Sequence, residues 1–238
     1  METKINLRER VVLESVDSTQ DYAARLLRQP STASIILAHD QTSGHGRFER
    51  PWFSEPGSSL TTSLIFREYA DHPMPWVIGM RVALAVAGVC HARVAWPNDV
   101  MHNGRKLAGV LTQVLPDYMG RKVPVVGVGV NLRVNEFPEE IRHRAISLHE
   151  VQHDVPTSEV LLDQILARMD ELPEPTNWQA IQPVWMHFDS TPGKKYHLPT
   201  GEEAVAMGFG PNGELLCSVQ GEARTVMAAE AIFGLQFD

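Results

Sequence analysis

Trp96-Pro-Asn-Asp99 runs through His102-Asn-Gly-Arg105 into Lys106-Leu-Ala-Gly-Val110. Pro97 restricts the backbone, so the amide of Asn98 and the carboxylate of Asp99 are held on a stiff segment. Asn103-Gly104 is the strongest short signal for a two-residue hairpin turn, because both central positions of that turn need φ > 0. The turn makes the flanking strands antiparallel and returns Lys106 beside Asn98 and Asp99. Satisfying turn amides would also account for Asn98 and Asp99. A lysine that opens directly into Leu-Ala-Gly-Val-Leu, at the mouth of a buried strand, is less usual than a solvated one.

Upstream lies Gln41-Thr-Ser-Gly-His-Gly-Arg47, which continues to Trp52. Glycines allow close backbone approach to an anion, and Arg47 adds a permanent planar charge. The loop follows a short apolar strand, Ser34 to Ala38, and precedes another, Leu60 to Phe66. Arg10 to Glu14 reads as a strand, and Asp17-Ser18-Thr19 caps a helix through Leu27. A buried helix spans Trp76 to Ala92. Strands follow from Val94, over Leu107 to Leu115 and over Val123 to Leu132. Thr157 or Ser158 caps a helix to Leu172, and a stretch near Trp178 to Phe188 carries Pro183, so it is short or kinked. Asp189-Ser-Thr-Pro-Gly193 reads as a linker. Short strands beyond it, parted by Thr200-Gly201, Pro211-Asn-Gly213 and Gln220-Gly221, predict a small SH3-like β-barrel. Strands and helices mix without strict alternation. The expected class is α+β: a mixed, largely antiparallel sheet flanked by helices in 1–189, then the barrel in 190–238.

Composition narrows the function. A formal charge of −8 over 238 residues opposes an intrinsic nucleic-acid binder. Cys90 and Cys217 are far apart in apolar stretches and read as buried free thiols of a reducing compartment. The N-terminus lacks the apolar core of a signal peptide, and Arg81 interrupts the most apolar run, so a cytoplasmic protein is expected. The ten histidines are read as surface or core residues, and no metal site is expected. Gly208-Phe-Gly-Pro-Asn-Gly213 matches a dinucleotide fingerprint only formally, since turn residues and no helix follow. Gly127-Val-Gly129 lacks the third glycine. No G-x-S-x-G elbow is present. Glycine-rich backbone, fixed cations and a returning lysine suit a phosphate-bearing activated acyl group.

With these segments in order, the chain resembles the biotin protein ligases of the biotin/lipoate ligase family. The motifs are Asp17-Ser18-Thr19, Gln41 to Trp52, Trp96 to Asp99, Lys106 to Val110 and Gly127 to Asn131. The resemblance implies adenylation of biotin by ATP, with Mg2+ escorting the nucleotide, then transfer to a lysine of a carboxylase's biotin carboxyl carrier domain. It implies biotin contacts from Ser18, Thr19, Gln41, Gly44, Trp52 and Gly109, and nucleotide contacts from Arg50, Asn98, Asp99 and Asn131. Arg47 would hold the adenylate, and Lys106 would neutralise charge on the carboxylate and α-phosphate. Three positions depart from the family's pattern: His45 and Ala95 replace an arginine and a lysine, and Glu49 replaces a glycine. A degenerate acid-binding module, or a lipoate or octanoate ligase, are the alternatives. No DNA-binding module is expected, nor a membrane partner. A homodimer through edge strands near Val123 to Asn131 is allowed.

Overall fold

The computed structural model describes residues 9–47, 50–197 and 202–226. Glu49, one of the departures noted above, lies outside them, as does the Thr200-Gly201 turn. Seven strands form one mixed sheet: β1 (Arg10–Leu13), β2 (Ile35–Ala38), β3 (Ser59–Ile65), β4 (Arg93–Ala95), β5 (Asp99–His102), β6 (Arg105–Pro116) and β7 (Lys122–Asn131). Their order is β1-β2-β3-β7-β6-β5-β4. Only β1 and β2 run parallel; the other pairs are antiparallel. The Asn103-Gly104 turn forms as expected, with φ of 47° and 79°.

This order corrects one expectation. β7 is paired on both sides, by β3 and β6, so Val123 to Asn131 is the middle of the sheet and has no free edge to offer a second copy.

The two faces of the sheet follow from period-2 alternation. On β7 the valines 126, 128 and 130 face α2 (Trp76–Val89), within the main core. On β2, Ile36 faces the other way and packs with Ala23 and Leu27 of α1 (Thr19–Leu27). α2 is buried along nearly all its length, Arg81 included. The Arg81 guanidinium donates to the carbonyls of Met169 and Leu172 at 3.0 and 3.2 Å, satisfying the C-terminal end of α4 (Ser158–Glu171). The charge inside the apolar run is therefore a helix cap. Among the described residues no helix is long and apolar enough to cross a membrane. A short α3 (Glu139–Arg142) precedes α4, and α5 (Trp178–Phe188) runs three turns through Pro183.

A second, four-stranded antiparallel sheet stands where the barrel was expected: β8 (Lys195–His197), β9 (Glu203–Phe209), β10 (Leu215–Val219) and β11 (Glu222–Val226), ordered β11-β10-β9-β8. Asp189 to Gly193 does not act as a spacer. Asp189 and Thr191 are buried, Asp189 bridges to Val94, and Thr191 Oγ1 accepts from the Trp96 backbone N–H at 2.9 Å. Trp178 and Trp185 of α5 pack on Phe209 of β9. The second sheet thus shares the main core instead of hanging from a tether. Cys90 and Cys217 are both buried free thiols, as expected.

Candidate active site

A cavity of about 280 Å³ opens on the α1 side of the sheet. Its floor is read directly from β6 and β7. Gly109 and Gly129 are register partners, and Leu111 pairs with Gly127. On β7 the residues facing the cavity are Gly127, Gly129 and Asn131, while the intervening valines fill the core. Missing side chains on one face of two central strands leave a groove, and Trp52 lies in it. A methyl group at Gly129 would stand 2.5 Å from Trp52 Cε2, and one at Gly109 would stand 3.2 Å from Cζ3. The Trp52 backbone N–H donates to Gly44 O at 2.8 Å, which ties the indole to the glycine loop. The space above Gly109 thus holds Trp52 and the head of Lys106.

Lys106 reaches that position through a β-bulge. In a regular strand, residues three apart point to opposite faces. Between Val100↔Ala108 and Met101↔Lys106 the register shifts, so Leu107 is an extra residue on β6. The bulge turns Lys106 to the Gly109 face. Its Nζ meets Asp99 Oδ1 at 2.6 Å. Asp99 pairs across β5–β6 with Gly109. The expected return of the lysine to Asp99 is observed, and the bulge is the geometric reason.

The opposite end of the cavity is neutral and polar. Ser18 caps α1, and its Oγ accepts from the N–H groups of Gln20 and Asp21. Gln41 Oε1 accepts from the Thr19 N–H at 2.8 Å, and Asp17 Oδ1 from the Ser18 N–H at 2.8 Å. The first N–H groups of this helix are therefore already occupied by side chains. An anion finds no open helix N-terminus there. Ser63 Oγ bonds Thr19 Oγ1 at 2.9 Å and Gln20 Oε1 at 2.8 Å, and Gln20 Nε2 donates to Val125 O. Gly44 lies against Gln41, since a methyl there would stand 2.8 Å from Gln41 Nε2.

Positive charge collects at the other end. Arg47 and Arg50 line the cavity from the glycine loop, which folds back through Gly46 N–H to Arg50 O (2.8 Å) and a His45–Pro51 bridge. Burial pulls the Arg47 guanidinium below its ordinary value, and the nearby Asp99 charge opposes this. An arginine remains charged under any such shift. His45, one of the departures, approaches Asp21 of α1 at 3.5 Å. Ala95, the other described departure, sits in β4 as the register partner of Asp99.

Asn98 and Asn131 also line the cavity, but their amide nitrogens are engaged. Asn98 Nδ2 donates to Val110 O at 2.7 Å, and Asn131 Nδ2 donates to Ile146 O at 3.1 Å. Both hold the walls together. Gln20, Thr62, Phe53, Phe137, Ile141, Arg144 and Ala145 also line the cavity and were not anticipated. Gln20 needed the orientation of α1, Thr62 the placing of β3, Phe53 the course of the chain beyond Trp52, and the other four the path of the chain after β7; none is a local sequence signal.

All twelve expected site residues except Gly44 line this one cavity, and Gly44 is bonded to Trp52, which does. The sequence profile of the Biotin/lipoate A/B protein ligase family matches residues 12–132, just over half of the chain. The chain belongs to this family. Within it, the biotin–[acetyl-CoA-carboxylase] ligase of Paracoccus denitrificans is 28% identical over 240 residues, covering 94% of this chain and all of that protein. The bifunctional ligase/repressor BirA of Bacillus subtilis is 29% identical over 161 residues, covering 63% of this chain, which spans about half (49%) of that protein's length. The fold is that of the biotin protein ligase of Aquifex aeolicus solved with biotin and ATP, with a TM-score of 0.76 and 24% identity, over 97% of this chain and 99% of that one.

Proposed function

We propose that this chain is a biotin–[carboxyl carrier protein] ligase. The observation that carries the reading is the polarity of the cavity, neutral hydrogen-bonding groups at the α1 end and Lys106, Arg47 and Arg50 at the other. A ligand with an uncharged polar ring and a distant carboxylate matches those two ends. Thr19 and Gln41 serve the ureido ring. Gln41 Oε1 is engaged by α1, which leaves its Nε2 donors for the ligand. Trp52, seated on the glycine floor, offers its indole to the thiophane ring and acyl chain.

In the first step a carboxylate oxygen of biotin attacks the α-phosphorus of ATP, and the bond to pyrophosphate breaks. Lys106 and Arg47 neutralise charge on the reacting carboxylate and α-phosphate, where fixed cations in a partly dry site act most strongly. Mg2+ enters with ATP as part of the substrate. No cluster of His, Cys, Asp or Glu suited to a resident metal occurs among the described residues. In the second step a carrier-domain lysine, as the free amine, attacks the acyl carbon of the mixed anhydride. AMP leaves, and the amide loses a proton. The names of the Paracoccus and Aquifex relatives support biotin as the acid.

Biotin-dependent ATP–pyrophosphate exchange tests the reading. Wild-type protein exchanges label only with biotin present, and Lys106→Ala loses about 100-fold, the rate equivalent of ~3 kcal/mol of charge stabilisation. Exchange supported equally by lipoate or octanoate would move the assignment to another acid. Biotin binding with no exchange at all would reduce the protein to a binding module.

A further inference from the structure

The neutral end of the cavity rests on a layer of buried hydrogen bonds whose direction is fixed. Gln20 Nε2 donates to Val125 O at 3.2 Å. A carbonyl only accepts, so β7 orients the amide and leaves Gln20 Oε1 towards β3. Gly127 makes room for it, since a methyl there would stand 3.0 Å from Oε1. Ser63 Oγ of β3 lies 2.8 Å from Gln20 Oε1 and 2.9 Å from Thr19 Oγ1. The serine hydroxyl has one proton and Oε1 has none, so the contact with Gln20 is a hydrogen bond with Ser63 donating. The contact with Thr19 must then be completed by the threonine's own proton. All three residues are buried, where an unmade hydrogen bond is costly. Protons therefore run one way, from Thr19 to Ser63, to Gln20 and to the Val125 carbonyl.

Thr19 lines the cavity with its proton already committed, so its hydroxyl oxygen can offer a ligand only a lone pair. Its two neighbours are set the other way. Ser18 Oγ accepts from the Gln20 and Asp21 N–H groups at 3.2 and 3.4 Å and keeps its proton. Gln41 Oε1 takes the Thr19 N–H, which leaves Nε2 to donate. A ring that fits this end must present an acceptor to Ser18 and Gln41 and an N–H to Thr19. Neither Ser63 nor Gln20 belongs to the motifs that carry the family resemblance. We propose that both are positioning residues for selection of the acid. They fix the Thr19 hydroxyl as an acceptor, so that the site tests its substrate for a ring N–H and rejects an isosteric ring oxygen. This deepens the ligase reading and rests on it. Lipoate and octanoate tails carry no N–H and leave the Thr19 lone pair unmatched.

The test uses full-length protein, biotin, and the two cyclic carbamates in which one or the other ureido N–H of biotin is replaced by O. Calorimetry without ATP reads binding without requiring turnover. Wild type should bind at least one carbamate about 30-fold or more weakly than biotin, because an acceptor then faces an acceptor. In Ser63→Ala the Thr19 hydroxyl can rotate and donate to the ring oxygen, so that ratio should fall below about 5-fold. Gln20→Met should act alike, since Ser63 then turns its proton to Thr19, and Thr19 turns its own to the ligand. A wild type that binds both carbamates within about 3-fold of biotin overturns the proposal without recourse to any variant. So does a ratio that survives in both variants, with or without a common loss of affinity, because that marks a structural role. Biotin binding with the expected ratios but no ATP–pyrophosphate exchange leaves the proposal standing and refutes the ligase reading. A wild type that binds no biotin overturns both.

Discussion

Gly129→Ala asks whether the groove in the central sheet exists to seat Trp52. The residue is glycine without positive φ, so alanine meets no backbone strain. Its methyl group would lie 2.5 and 2.6 Å from Cε2 and Cζ2 of the indole. Carbon–carbon contacts are favourable near ~3.5–4.0 Å, so the ring must retreat by roughly 1 Å. Overpacking of this kind costs about 1–3 kcal/mol. Against it stands a gain of about 0.4–1 kcal/mol from the stiffer unfolded chain. The net expectation is a loss of roughly 0–2.6 kcal/mol, centred near 1.3 kcal/mol. In a Trp52→Ala background the obstacle is gone, and the same substitution should stabilise by the remaining ~0.4–1 kcal/mol. The cycle therefore predicts a change of sign. Urea unfolding of the four proteins measures it, supported by thermal melts at about 2–4 °C per kcal/mol for a chain of this size. Because the Trp52 N–H is bonded to Gly44, the single variant should also weaken biotin binding through the glycine loop. If Gly129→Ala has the same sign and size in both backgrounds, the groove does not serve Trp52 and the reasoning fails.

Three further outcomes follow from other contacts. A methyl at Gly79 of α2 would stand 1.9 Å from Thr112 Oγ1, so Gly79→Ala should destabilise by about 1–3 kcal/mol, and Thr112→Ser should not relieve it because the hydroxyl stays. Arg81→Met leaves the Met169 and Leu172 carbonyls without their charged donor and should cost about 1.5–3 kcal/mol in chemical denaturation, with the earliest hydrogen exchange at the end of α4. Arg25 and the Ser18 N–H hold the Asp17 carboxyl down to about 2, from 3.8. A depressed carboxyl stabilises the fold above its unfolded value, and that contribution is lost as pH falls from about 4 towards 2. Asp17→Asn should therefore flatten the acid limb of the stability curve in that window only, and an unchanged limb would show that the exposed pair contributes nothing.

Much of the site was legible because its logic is local. Asn103-Gly104 dictated the hairpin that brings Lys106 to Asp99, Ser18 announced the start of α1, and alternating glycine and valine on β7 separates a groove face from a core face. Glycine-valine alternation by itself is an incomplete dinucleotide motif and, as Gly127 to Asn131, one of the motifs of the family resemblance; the separation into two faces needs the strand in place. Expectations that failed were those that depend on partners distant in sequence. Val123 to Asn131 reads from the sequence as a strand that could stand at an edge, yet β3, about 65 residues earlier, occupies one side of it. Asp189 to Gly193 has the composition of a linker, but its backbone and hydroxyl groups bond to β4 and Trp96, nearly 100 residues away.

What the chain determines by itself is the set of turns, caps and faces, since each depends on φ preferences and side-chain period within a few residues. Tertiary structure decided the rest. The bulge at Leu107 depends on how β5 and β6 settle against each other. The saturation of the α1 N-terminus depends on Gln41 arriving from the glycine loop. The docking of Asp189 to Thr191 on β4 depends on a second sheet that packs Phe209 against α5. These are arrangements of groups far apart in sequence, stabilised by shared burial, and no local pattern encodes where such groups meet.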